Sequence, residues 1–435
     1  MVVRGLRLFV ISIVNALHNL RRLQPNELTT DGTWSWFSDP RAIILDNIIY
    51  TGWVKSNGTV EAARFDLAEG TVLHTTLYQR LERDDHNNPA FVITGNGTIH
   101  AMYTRHSKKD LFVNIIEGSN KHFRASEPKL IFPFSDEQLS TYPHSTITYA
   151  NPYYLQQEEK LYCFGRWTGY KPNVMWSADD GATWSKSKVF ISKTPFRREI
   201  RPYCKYFSDG QAGIHIIFTD DHPRNCPTNS VYYMRFENES FYRADGSHIC
   251  DLNNLPIDPE VATVIYRATE SEGRAWIADV SACELGHPVV LYTKSPNTNN
   301  HQYWYGRYTK EGWINRKICD AGSWFPQTKA GQKEQEPHYF GNMSIHPANA
   351  NVIYLSRRVN GVFEIERWET HDAGESWATE PVTSNSEYDN VRPYVPRGLQ
   401  AGQDEIVLWM ENRKYVHFTN FRTAIKYYIR RVDST

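Results

Sequence analysis

The chain has 435 residues, 48 Lys+Arg against 49 Asp+Glu for a formal net charge of -1, and 14% aromatic residues. Balanced charge removes the sequence-independent phosphate attraction of nucleic-acid binders, and no apolar stretch reaches the ~20 residues that span a bilayer, so neither a nucleic-acid nor a membrane partner is expected. About 150 residues per domain would allow roughly three domains, although all-β units often exceed that size, so the domain count has to come from pattern.

At the N-terminus, Arg4 and Arg7 precede a ten-residue apolar run (LFVISIVNAL, 8–17) that ends near Val14-Asn15-Ala16, the layout of a secretory signal. Residues 1–24 are therefore read as a leader and the protein as secreted or extracellular, the alternative being a short buried element leading into the fold. Asn-x-Ser/Thr triplets at Asn57, Asn96, Asn238 and Asn342 are compatible with secretion. The six cysteines show no CxxC pairing, which fits buried thiols better than a zinc ribbon or a disulfide scaffold.

From residue 25 onward one strand recurs, an apolar run that ends in an aromatic and passes into polar residues. It appears as IIYTGW at Tyr50, HAMYTRH at Tyr103, LYCFGRW at Phe164 and HIIFTDD at Phe218, then as VVLYTKS at Tyr292, NVIYLSR at Tyr354 and IVLWMEN at Trp409. The intervals are 53, 61, 54, 74, 62 and 55 residues. Seven strand-meander units at a fixed long period predict an all-β, seven-bladed β-propeller over residues 25–435, one domain rather than three. Turn residues after several copies (Asn57-Gly58, Pro172-Asn173, Asn360-Gly361) lead into a following strand. The segment 34–45 and the C-terminal IKYYIRRV (425–432) are expected to share the closing blade.

Two turns carry an independent mark. Ser177-Ala-Asp179-Asp-Gly181-Ala-Thr183-Trp184 and Thr370-His-Asp372-Ala-Gly374-Glu-Ser376-Trp377 follow S/T-x-D-x-G-x-T/S-W. These Asp-box turns are structural: the Asp accepts N–H groups within the turn, the Gly permits a left-handed residue and the Trp packs beneath.

If the recurring strand lines the channel, the residues just past its aromatic converge at one mouth: Arg105 and His106, Arg166 and Trp167, Asp220 and Asp221, Glu411 and Asn412. His86, in the polar loop Arg83-Asp-Asp85-His86-Asn87-Asn88, lies 20 residues before His106, and two facing histidines can supply a base and an acid near neutral pH. Arg201, Tyr203, Lys205, His222 and Arg224 make a second polar stretch. His222 and Cys226 have a ligand-like spacing, but two candidates do not make a zinc site.

At these segments (WFSDPRA at 36–42, DDHNNPA at 84–90, YTRH at 103–106, NPYYL with FGR, RPYCKYFSDG, FTDDHPRN) the sequence resembles the BNR-repeat polysaccharide lyases, the group of seven-bladed ulvan lyases and L-rhamnose-α-1,4-D-glucuronate lyases. The resemblance implies a working set of two histidines, an arginine and two tyrosines, which falls on His86, His106, Arg166, Tyr149 and Tyr203, with Tyr206 the alternative to Tyr203. Arg105, Trp167, Arg201, Lys205, His222 and Arg224 are then expected to contact substrate. It also implies β-elimination at a rhamnose–glucuronate linkage in an anionic polysaccharide of the gum arabic or ulvan kind, with His86 and Tyr149 as base or charge neutraliser and His106 as acid, in an order left open. No cofactor or metal ligand is assigned, a structural metal being left open, and a monomer is expected. Exo or endo action turns on whether the loops 134–144 and 321–337 wall off the channel. Two rivals remain: a glycoside hydrolase such as an α-L-rhamnosidase using Asp220, Asp221 or Glu411, and a sugar-binding propeller without catalysis.

Overall fold

The computed structural model describes residues 25–432 except 120, 143, 298–299 and 323–339. Residues 1–24, read above as a leader, and most of the 321–337 loop therefore lie outside the described residues.

Among the described residues the strands form seven antiparallel sheets, each a blade whose first strand faces the axis. Those first strands are Ala42–Leu45, Ala90–Ile93, Thr148–Leu155, Cys204–Phe207, Arg274–Ala282, Met343–His346 and Asp389–Tyr394. Most neighbours among them touch around the ring. The recurring strand of the sequence is the second of each blade (Ile48–Val54, Ile99–Thr104, Lys160–Arg166, Gly213–Thr219, Pro288–Asn297, Asn349–Val359, Glu405–His417), not the channel-lining one. This corrects the expectation. Its antiparallel pairing still carries its C-terminal end to the mouth where the first strand begins, so the residues past the aromatic do approach that mouth from one layer out. The seven aromatics Tyr50, Tyr103, Phe164, Phe218, Tyr292, Tyr354 and Trp409 are all buried, which is why the repeat is legible: each fills the space between stacked blades.

Closure is also placed differently. The N-terminal strand Asn26–Thr29 pairs with Asn420–Arg430 as the outer strand of blade seven, whereas Ala42–Leu45 opens blade one. One blade thus joins both ends of the chain and leaves no unpaired ring junction.

The two Asp-box turns link the third and fourth strands of blades three and six. Asp179 accepts from the Thr183 N–H at 2.8 Å and its hydroxyl at 2.6 Å, and Gly181 has φ +85°. Asp372 does the same with the Ser376 N–H at 2.8 Å and hydroxyl at 2.5 Å.

Around the axis the first strands bury charge as pairs. Asp39 meets Arg41 at 2.8 Å and Lys205 at 2.6 Å, and Asp279 meets Arg397 at 2.6 Å. Burial alone would raise the Asp39 pKa, but Arg41 and Lys205 hold it well below the usual carboxylate range. Removing that carboxylate leaves two buried cations uncompensated. Asp39→Asn is expected to destabilise the protein by about 3–5 kcal/mol in urea denaturation; a loss under about 1 kcal/mol would show that the triad does not hold the inner ring.

Candidate active site

The site forms where blades one, two, three, four and seven meet at the mouth. Asp84 caps a single 3-10 turn, Asp85–Asn87, its side chain accepting the His86 N–H at 3.0 Å. That cap aims the His86 ring back at the same carboxylate, with Nδ1 2.6 Å from Asp84 Oδ1. His106, just past the second strand of blade two, brings its Nδ1 to 2.9 Å from the other oxygen, Asp84 Oδ2. One carboxylate thus holds two imidazoles. The rings stack with centroids 3.9 Å apart and an interplanar angle of 13°. Phe418, from the last hairpin of blade seven, packs edge-on to both at 4.9 and 5.2 Å.

The pair is electrically unequal. His86 has a second carboxylate, Asp85, at 3.0 Å, which is itself fixed by Arg392 at 2.8 Å and by the Tyr415 hydroxyl. Burial disfavours charge on His86, but Asp84 and Asp85 outweigh it and push its pKa up to about 10. Burial and the charge on His86 push His106 down to about 4, against the pull of Asp84. At neutral pH His86 is an imidazolium. His106 is neutral, its Nδ1–H on Asp84 and its Nε2 lone pair left for another partner.

Tyr149, at the start of the first strand of blade three, adopts φ +70° and stacks on His86 at 5.5 Å. Burial keeps its phenol protonated, pushing the pKa well above the usual value. Arg166 ends the second strand of the same blade, its guanidinium 5.2 and 5.0 Å from the ring centroids of Tyr149 and Tyr203. It donates to the Tyr203 hydroxyl, its Nε is buried without a partner, and among the described residues no carboxylate pairs with it. Arg41, Arg392 and Arg397, equally buried near the axis, each meet one. Tyr203 is braced by Phe37 at 4.9 Å and by His222 at 5.3 Å. His86, His106, Tyr149, Arg166 and Tyr203 are therefore brought together in a single cluster.

The residues expected to contact substrate divide. Trp167 is fully buried and donates Nε1–H to the Tyr149 carbonyl at 3.1 Å, so it is a backbone prop and cannot stack on a sugar. Lys205 is likewise buried in the Asp39 triad, and Arg105 is turned to Asp110, 2.6 Å away on the same hairpin. These three correct the sequence expectation. Arg201 lies on the Tyr170 ring at 4.5 Å, beside the cluster. His222 accepts the Arg224 N–H at 3.1 Å, and burial with the charges of Arg224, Arg166 and Arg201 keeps it neutral. The carboxylates a hydrolase would need are occupied elsewhere. Asp220 binds Lys193 at 2.7 Å and Tyr232 at 3.0 Å, Asp221 Oδ1 accepts two backbone N–H groups at 2.7 Å, and Glu411 pairs with Arg413 at 3.0 Å.

Sequence reasoning missed Asp84 and Asp85 as the holders of the histidines, although both stand in the loop it singled out. It also missed Arg392, Tyr415 and Phe418, which arrive from blade seven, Tyr415 being 330 positions from Asp85, with no local signal. Asp84, His86 and His106 place three ligand-capable atoms within 4.8 Å of one another. Both Nδ1 atoms are already satisfied by Asp84, so the trio reads as a proton-sharing unit.

A model of the BNR repeat-containing family matches residues 48–321. An ulvan lyase of Nonlabens ulvanivorans is 23% identical over 325 residues, 69% of this chain and 65% of that protein, so the match spans just under two thirds of the relative's length. Among solved structures, a polysaccharide lyase PL25 ulvan lyase bound to -[GlcA(1-4)Rha3S]- superposes with a TM-score of 0.67 at 13% identity, covering 93% of this chain and 96% of that one. The polysaccharide lyase Uly1 gives 0.60 at 13% identity, covering 93% and 97%. At these identities the likeness is one of fold.

The asymmetry of the two histidines is directly measurable. In a nitrogen NMR titration His86 is expected to stay protonated up to about pH 10 and His106 to stay neutral down to about pH 4, with Asp85→Asn lowering the His86 value. Two histidines titrating together near 6.5 would refute the assignment.

Proposed function

Since the chain belongs to the BNR repeat-containing family, with that family's model covering residues 48–321, we propose that it is a polysaccharide lyase that breaks a rhamnose–glucuronate linkage by β-elimination. The observation that carries this reading is Arg166: a buried guanidinium with no carboxylate partner among the described residues, set between two tyrosines and beside a histidine pair. A buried cation left unpaired by the protein is matched to an anion brought by the ligand.

Loss of the proton at C5 of a uronate is hindered by the adjacent carboxylate, whose charge opposes further negative charge on that carbon. Paired with Arg166 and facing the imidazolium of His86, that carboxylate is neutralised, and the enolate-like transition state is stabilised. His106, neutral with Nε2 open, takes the C5 proton. The C–H electrons form the C4–C5 double bond, the C4–O4 bond breaks, and the Tyr149 phenol protonates the departing rhamnose oxygen. The protonation states thus favour His106 as base and Tyr149 as acid, with His86 as charge neutraliser. Tyr203 positions Arg166 through its hydroxyl. The relatives' names support the same class of chemistry, since ulvan lyase and Uly1 are both polysaccharide lyases.

Incubation with rhamnosyl-glucuronate is expected to raise absorbance in the unsaturated-uronate band and release free rhamnose; saturated products would point to hydrolysis instead. Arg166→Ala is expected to lower kcat by about 10²–10³-fold, the scale on which one preorganised electrostatic contact acts. The kcat/KM profile should fall below about pH 4, where His106 takes up a proton and ceases to be a base, and should show no limb near 6.5. An acid limb that persists unchanged in His106→Gln would assign the base elsewhere.

A further inference from the structure

Beside Arg166 lies a second group of cations that the β-elimination does not use. Lys171, fully buried, donates from its ammonium to the carbonyls of Arg197 at 2.5 Å and of Ile200. Phe196 of the same loop lies over Gly169, whose φ is +62° and where any Cβ would enter the ring, and it packs at a tilt against Tyr142 at 4.6 Å. The segment 193–202 is thereby clamped onto the rim of blade three. Clamping presents two arginines to one ring: Arg201 lies 4.5 Å and Arg198 5.0 Å from the Tyr170 centroid, and Arg198 also donates to the Tyr170 hydroxyl at 3.2 Å.

Neither arginine has an ion-pair partner among the described residues, and the Nε of Arg201 is buried without a hydrogen-bond acceptor. The acidic groups nearby offset them only in part. Asp221, its Oδ1 accepting two backbone N–H groups, lies within electrostatic reach of Lys171 and Arg201, and Glu199 of the same loop acts on Lys171, so two carboxylates stand against four cations. Arg166, Arg198, Arg201 and Lys171 thus form a locally positive rim on a chain whose net charge is -1. Such an excess is maintained against self-repulsion where an anion completes it.

We propose that Arg198 and Arg201, stacked on Tyr170, form a second anion subsite that takes a carboxylate or sulfate ester on a sugar neighbouring the one whose carboxylate Arg166 binds. Its place next to the reacting uronate rests on the lyase reading; its charge and geometry do not. The protein would then select chains carrying two acidic groups in succession over chains with an isolated one.

The test uses three oligosaccharides on the full-length protein: one ending in a single rhamnosyl-glucuronate, one with a second glucuronate, and one with a sulfate ester in its place. Calorimetry at low and high salt is expected to show about five- to tenfold tighter binding of a doubly charged probe, weakening as salt rises. Arg198→Ala should abolish that preference while leaving binding and turnover of the singly charged probe unchanged, and Arg201→Ala should abolish it as well. Whichever doubly charged probe gains affinity identifies the anion. Equal affinity for all three probes, or a preference that survives both substitutions, overturns the subsite. A charge preference without any unsaturated product would sink the lyase reading and leave the subsite standing; product formed with equal kcat/KM on all probes would do the reverse.

Discussion

A single carboxylate, Asp84, holds two imidazoles at 2.6 and 2.9 Å, and the chemistry of the mouth depends on that sharing. Two stacked rings 3.9 Å apart cannot both carry a proton at modest cost in a buried site. The tie is broken from outside the pair: Asp85 touches only His86, and Arg392 with Tyr415 keeps Asp85 ionised and aimed. A charged donor and a neutral acceptor therefore lie face to face, and a symmetrical pair of neutral histidines would offer neither a fixed positive charge nor a defined base.

That arrangement needs backbone no single strand supplies. Tyr149 and Arg392 both stand in the left-handed region, at φ +70° and +57°, conformations costing of order 1–3 kcal/mol each for bulky residues. Both are over-determined. The Tyr149 carbonyl is held by Trp167, whose indole packs so closely over Gly165 that a Cβ there would lie 2.2 Å from Nε1. The Arg392 N–H is held by the Gly341 carbonyl at 2.7 Å. Ring closure through Asn26–Thr29 holds blade seven against blade one, so the terminal strand acts on the site through Arg392, Tyr415 and Phe418 without touching it.

The sequence revealed what repeats and what is local. Seven buried aromatics at a near-constant interval gave the blade number, and the His86–His106 spacing survived because both residues flank one hairpin pair of blade two. It hid which strand is inner, because first and second strands are both mostly buried and only the ring's convergence tells them apart. For the same reason Trp167 and Lys205, next to site residues in sequence, looked available to a ligand. Trp167, one step past Arg166, turns away from it into the core, whereas Lys205, two steps past Tyr203, is drawn into the Asp39 ion pair. Contacts between blade seven and blade two, spanning more than 300 positions, have no period to betray them.

Buried cations here divide by whether the fold supplies them a carboxylate. Around the axis Arg41, Lys205, Arg392 and Arg397 all meet carboxylates supplied by the fold, Arg41 and Lys205 sharing Asp39. Arg166 is buried to the same degree but meets the π-faces and hydroxyl of tyrosines, which stabilise a cation without cancelling it. A protein with balanced overall charge can in this way keep a desolvated positive group at its mouth. Because salt screens a buried group little, such a cation would, under the proposed lyase reading, discriminate a uronate from a neutral sugar where surface lysines would not.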